Sequence, residues 1–144
     1  MVAIRDLAET DRAPWDRLWA GYLEFYETTL PSEITDCVFA RLIDPNTKMF
    51  AFVAEDRGRL AGFVHCVLHP ATWSLADYCY LEDLFVSPYA RGAGVARALI
   101  EAVYARADAL GCARVYWLTH ENNATARKLY DRVAQYRGFI QYRR

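Results

Sequence analysis

Apolar positions along this chain switch between a period of two and a period near 3.6, and the switches divide it into elements. Val2 to Arg5 reads as a short strand. Thr10 is a helix N-cap signal with Pro14 in the first turn, and the helix is predicted to run to about Thr28. Trp15, Leu18, Trp19, Tyr22, Leu23, Phe25 and Tyr26 keep helical spacing over a broad face. That breadth fits either a plain core-facing helix or one whose Tyr22, Glu24 and Tyr26 also line a pocket. Ser32 is the expected cap of a second helix, Glu33 to Leu42, and Asp44-Pro45-Asn46 signals a turn. Met49 to Glu55 and Leu60 to Leu68 read as strands joined by a hairpin loop, Asp56-Arg57-Gly58-Arg59. Pro70 to Ala76 is a loop carrying Trp73, which either packs on the core or flanks a cleft.

The second half is organised around residues 80–99. Tyr80 to Val86 reads as a strand, Ser87 to Tyr89 turns the chain, and Arg91 to Ala96 is a glycine-containing loop that opens a helix from about Gly94 to Leu110. Val95, Leu99, Val103, Ala107 and Leu110 share a face of that helix, and Gly111 marks its end. A strand over Ala113 to Thr119 follows. Asn122 or Asn123 caps a last helix, Ala124 to Val133, and Gly138 to Tyr142 reads as a final strand. The predicted order is β-α-α-β-β-β-α-β-α-β, an α/β fold on a mixed central sheet flanked by helices, with residues 1–144 forming one domain.

Composition narrows the function. Hydrophobic residues make up 54% of the chain and aromatics 15%, enough for a real core. The net charge of −1, without a long basic run, argues against general nucleic-acid binding. No apolar run suits a bilayer span or a signal peptide, so no membrane partner is expected. The four cysteines are scattered with no Cys-x-x-Cys pair, which points to a reducing cytoplasm rather than a disulfide framework. His65 and His69 have no acidic residue completing a local ligand motif, and no metal is expected.

The loop Arg91-Gly92-Ala93-Gly94-Val95-Ala96, between a strand and a helix, suits a phosphate held by free backbone N–H groups at a positive helix end. It is not a P-loop, which ends in Gly-Lys-Ser/Thr, and Arg97 occupies the third small position of a dinucleotide fingerprint. Arg91-x-x-Gly94-x-Ala96 behind Leu84-Phe85-Val86-Ser87-Pro88 instead resembles the acetyl-CoA motif of the GNAT N-acetyltransferases. Asn123-x-x-Ala126-x-x-Leu129-Tyr130, one strand later, is similar to that family's second signature. Tyr80-Leu81-Glu82-Asp83-Leu84-Phe85-Val86 resembles the corresponding strand of diamine and polyamine acetyltransferases. Val115-Tyr116-Trp117, Glu121-x-Asn123 and Leu129-Tyr130 resemble the branch acting on histones, polyamines and D-amino acids. The chain departs from the family pattern in one place: Val133 to Arg137 lengthen the link to Gly138-Phe139.

The resemblance implies a mostly antiparallel GNAT sheet and acetyl-CoA as co-substrate. Arg91, Gly92, Ala93, Gly94, Val95 and Ala96 would hold its pyrophosphate. Strand backbone at Leu84, Phe85 and Val86, with Asn123 and Ala126, would hold the pantetheine arm. The acceptor would be a primary amine of a small molecule, such as a polyamine or amino acid, attacking directly in a ternary complex. An alkylammonium with a pKa of about 10.4 is only about 0.04% neutral at pH 7, so a carboxylate that accepts its proton raises the reactive fraction. Glu82 is the candidate base. Asp83, on the opposite face of a regular strand, reaches the same cleft only if the strand is irregular. Tyr22, Glu24, Tyr26, Glu82 and Asp83 are the expected substrate contacts, with Glu24 and Asp77 weaker candidates for a second positive charge. Tyr130 would protonate the leaving thiolate. Alternative readings are a protein lysine or N-terminal acetyltransferase, or a non-catalytic acyl-CoA-binding protein. The apolar final strand, with Phe139, Ile140 and Tyr142, suggests a homodimer.

Overall fold

The computed structural model describes residues 2–144. Five strands form one sheet in the order β1-β2-β3-β4-β5: β1 (Val2–Asp6), β2 (Met49–Asp56), β3 (Arg59–His69), β4 (Tyr78–Val86) and β5 (Arg114–Tyr116). The first four pair antiparallel, and β4–β5 is the one parallel pair among the described residues. Helices α1 (Arg12–Phe25) and α2 (Ser32–Ile43) cover one face, and α3 (Val95–Leu110) and α4 (Ala124–Val133) lie on the other side.

Alternation along the central strands feeds both faces. On β3, Leu60 and Phe63 pack with Trp15, Trp19 and Phe39 of the first pair of helices, while Ala61, Val64 and Cys66 pack with Leu99, Ile100 and Val103 of α3. Each fully buried large side chain of this kind contributes about 2–3 kcal/mol. The β2–β3 hairpin closes through Arg57 and Gly58, both at positive φ (54° and 78°), the combination a tight turn between twisted strands requires. A clip fixes the first helix to the sheet. Arg5 donates to both oxygens of buried Asp11, at 2.7 and 2.9 Å, and to Glu55, while Asp11 also accepts from the Ala8 N–H. The Arg5 guanidinium holds the Asp11 carboxyl below the usual carboxylate range.

Several local expectations change. Thr10 lies inside a 3-10 turn over Glu9–Asp11, and Asp11 takes the N-cap position of α1. That helix ends at Phe25 because Glu27 turns left-handed (φ 53°), and the Thr28 N–H returns to the Leu23 carbonyl. Ser32 is the first residue of α2 and makes no cap bond; the Pro31 carbonyl instead accepts from Ile34 and Thr35. Strand β5 has three residues rather than seven. The final strand at Gly138 to Tyr142 does not form: residues after Val133 adopt no strand, and Phe139, Ile140 and Tyr142 are 85%, 67% and 90% exposed. So short an edge strand offers too little ladder to recruit them. Trp73 neither packs on the core nor is covered, at 85% exposed.

Candidate active site

The site begins where β4 stops behaving as a regular strand. Cys66 pairs with Leu81 and His65 with Asp83, which leaves Glu82 as an extra residue, a β-bulge. The bulge inverts the alternation. Leu81 packs into the α3 face, whereas Asp83 and Phe85 turn toward α1. Glu82 stands exposed at the turn of the bulge. Partial burial of its carboxyl, and then the neighbouring Asp83 charge, raise its pKa.

Asp83 meets Tyr22, one turn before the end of α1. The Tyr22 hydroxyl donates to Asp83 Oδ1 at 2.6 Å, and His65 Nδ1 lies 2.9 Å from Oδ2. His65 is 2% exposed, stacked on Phe63, and its Nε2 accepts from Trp15 Nε1 at 3.1 Å. Burial and the facing Asp83 charge push the Tyr22 phenol far up, so it remains a donor. Tyr26 lies one turn on, its ring 4.9 Å from Tyr22. Glu24, between them in sequence, is exposed on another side of the helix, because positions two apart on a helix do not share a face. Asp77 is paired with Lys48 at 2.7 Å.

A cleft of about 340 Å³ opens beside Tyr26, lined by Phe25, Glu27, His120, Asn122 and Asn123. Its far side leads to α4. Asn123 caps that helix by accepting from the Ala126 N–H. Tyr130 sits half-buried, edge-on to Trp117 with ring centroids 5.4 Å apart. Burial first, and then Tyr26, raise the Tyr130 phenol above its ordinary value.

Between these walls the sheet splays. Strand β4 pairs with β5 only at Tyr78, Cys79 and Tyr80, then continues to Val86 without that neighbour. Along Leu81 to Val86 that edge of the backbone has no strand partner, although the Val86 carbonyl accepts from Arg91 Nε at 3.3 Å, and it is able to bond an extended amide-bearing chain. Side chains divide there: Phe85 is core against Tyr22 and Phe63, while Leu84 and Val86 are half-buried on the α3 face. The edge ends at the glycine loop. Gly92 and Gly94 adopt positive φ (82° and 77°), which turns the chain so that the first turn of α3 faces outward. Among the described residues no hydrogen bond uses the N–H groups of Gly92, Ala93, Val95, Ala96 or Arg97. The Val95 side chain is core, so only its N–H is available. A β-carbon on either glycine would point into open space. The loop is thus an exposed cradle of backbone donors at a helix N-terminus, and its donor set fits a pyrophosphate.

A splayed β4–β5 pair with an anion cradle at its end is the arrangement that decides the family. Residues 12–135 match the Acetyltransferase (GNAT) family. The chain belongs to the GNAT acetyltransferases. It is 38% identical to the D-amino-acid N-acetyltransferase HPA3 of Saccharomyces cerevisiae, over 99% of this chain and 90% of that protein. Among solved structures, AAC(6')-Iy in complex with the bisubstrate analogue CoA-S-monomethyl-acetylneamine superposes with a TM-score of 0.81 at 21% identity, covering 100% of this chain and 97% of that one. A transcriptional regulator from Bacillus halodurans C-125 superposes at 0.85 and 19% identity, covering 100% and 99%; these two show the fold. As a GNAT acetyltransferase the chain is an acetyl-CoA-dependent N-acetyltransferase, and the element order read from the sequence matches the fold up to α4.

Sequence reasoning named Tyr26 and Asn123, which line this cleft, Tyr22 and Asp83, which bond each other, Glu82 at the bulge, and Tyr130 on α4. It missed His65 and Trp15 as partners of Asp83, and Phe25 and His120 as cleft lining. A histidine inside the apolar run Leu60 to Leu68 was the available signal, since a buried polar ring requires partners.

Proposed function

We propose that this GNAT enzyme transfers the acetyl group of acetyl-CoA to the primary amine of a small molecule, with an amino acid the first candidate, by direct attack in a ternary complex. The observation that carries this reading is the bulge: it presents two carboxylates, Glu82 and Asp83, beside the free edge of β4. The relative that acts on D-amino acids supports the same acceptor class. Acetyl-CoA supplies an acyl thioester whose carbonyl carbon the amine attacks.

Each residue then has a role. Backbone donors of Gly92 to Arg97 hold the pyrophosphate, with Arg91, whose Nε reaches the Val86 carbonyl at 3.3 Å, beside them. The open edge of Leu84, Phe85 and Val86 aligns the pantetheine amides, and small Ala126 lets the arm pass close to α4 beside Asn123. Asp83 and the aromatic rings of Tyr22 and Tyr26 receive the ammonium group. Glu82 accepts its proton, directly or through water. Tyr130, kept protonated by its raised pKa, donates to the departing thiolate as the carbon–sulfur bond breaks. Replacement of Tyr130 by Phe is expected to lower kcat by about 100-fold, with the KM for acetyl-CoA nearly unchanged. An unaltered kcat would remove the acid role.

Two further readings accompany this one. All four cysteines are free thiols, which fits a cytoplasmic protein. The exposed Phe139, Ile140 and Tyr142, together with a three-residue edge strand, suit pairing with a second copy of the chain. Light scattering is expected to give a homodimer that a Phe139→Ser, Ile140→Ser variant converts to monomer; a monomeric wild type would rule the pairing out.

A further inference from the structure

We infer that His65 is a positioning residue: a buried relay, Trp15 to His65 to Asp83, fixes the carboxylate that anchors the substrate amine. The inference deepens the amine-binding role proposed for Asp83 and rests on it. An adjacent His and Asp usually suggest a histidine base oriented by the acid. Here the order is reversed. His65 lies behind Asp83, is 2% exposed, and has both ring nitrogens occupied.

The tautomer follows from chemistry. An indole N–H can only donate, so His65 Nε2, 3.1 Å from Trp15 Nε1, carries the lone pair. The ring proton is therefore on Nδ1 and points at Asp83 Oδ2, 2.9 Å away. Tyr22 donates to the other oxygen, Oδ1, at 2.6 Å. One donor on each oxygen fixes the carboxylate plane, and 14% of its side-chain surface remains accessible. His65 in turn cannot rotate, because it is stacked on Phe63 at 4.3 Å and flanked by Trp15 and Trp19. Three residues brought from α1 and β3 thus aim one charge. His65 touches neither donor nor acceptor substrate, and takes no proton from the amine.

The test combines a spectroscopic and a kinetic readout on the full chain. In ¹⁵N NMR of the wild type without ligands, His65 is expected as the Nδ1–H tautomer, and Trp15→Phe is expected to mix the tautomers. His65→Ala is expected to raise the KM for the amine at least tenfold with the KM for acetyl-CoA unchanged. His65→Asn, whose amide N–H stands where Nδ1–H stood, is expected to recover most of that loss. If the alanine variant unfolds, as thermal melting would reveal, the asparagine variant and Trp15→Phe carry the comparison. An Nε2–H tautomer in the wild type overturns the relay, as does an asparagine variant no better than alanine, or an equal rise in both KM values. Should the wild type acetylate no amine at all, the functional reading fails, while the tautomer still decides the relay independently.

Discussion

Leu81 and Asp83 stand two residues apart on β4, yet their side chains enter opposite faces of the sheet, Leu81 toward α3 and Asp83 toward Tyr22 of α1. In a regular strand they would share a face. Glu82, the extra residue opposite the His65–Cys66 step, makes the difference. One inserted residue thereby turns an acid from the α3 side toward Tyr22 and His65 and leaves a second acid exposed at the bulge.

The bulge gives Glu82 a pH signature. Partial burial and the Asp83 charge raise its pKa, so its protonated form persists above the ordinary glutamate range. A base must be unprotonated to act, so activity is expected to fall as pH drops through that raised value. Glu82→Gln is expected to lower kcat/KM for the amine by about 100-fold and to flatten this acidic limb. A pH–rate profile with the limb intact in the variant would exclude Glu82 as the base.

The ladder beside the bulge tolerates no added side chain. Gly62 pairs with Val86, and a β-carbon there would lie 2.6 Å from the Phe85 carbonyl oxygen, inside van der Waals contact with backbone that cannot step aside. Gly62→Ala is expected to cost about 2 kcal/mol, read by calorimetry as a fall of roughly 6 °C in Tm. An unchanged Tm would mean that β3 and β4 separate more easily here than their pairing implies.

Much of this was legible locally. Helical periodicity marked α1 and α3, and Gly111, at φ 73°, ends α3 where the sequence placed its stop. Asn123 caps α4 as one of the two asparagines expected there. Even the bulge left a trace: Leu81-Glu82-Asp83-Leu84-Phe85 sets two polar residues before two apolar ones, which breaks strict alternation. The bond from Trp15 to His65 joins residues 50 apart in the chain, and no local pattern encodes such a meeting. The apolar Phe139 and Ile140 read as a strand because periodicity reports composition, whereas a strand also needs an edge with which to pair.

Acetyl transfer itself is the decisive reaction. Purified chain, given acetyl-CoA and a panel of D- and L-amino acids, polyamines and basic peptides, is assayed for thiol release, with the acetylated product identified by mass spectrometry. Turnover is expected on small-molecule amines, amino acids foremost, with one N-acetyl product formed per thiol released. Acetylation confined to the peptides, or acetyl-CoA binding with no turnover on any amine, would contradict that expectation.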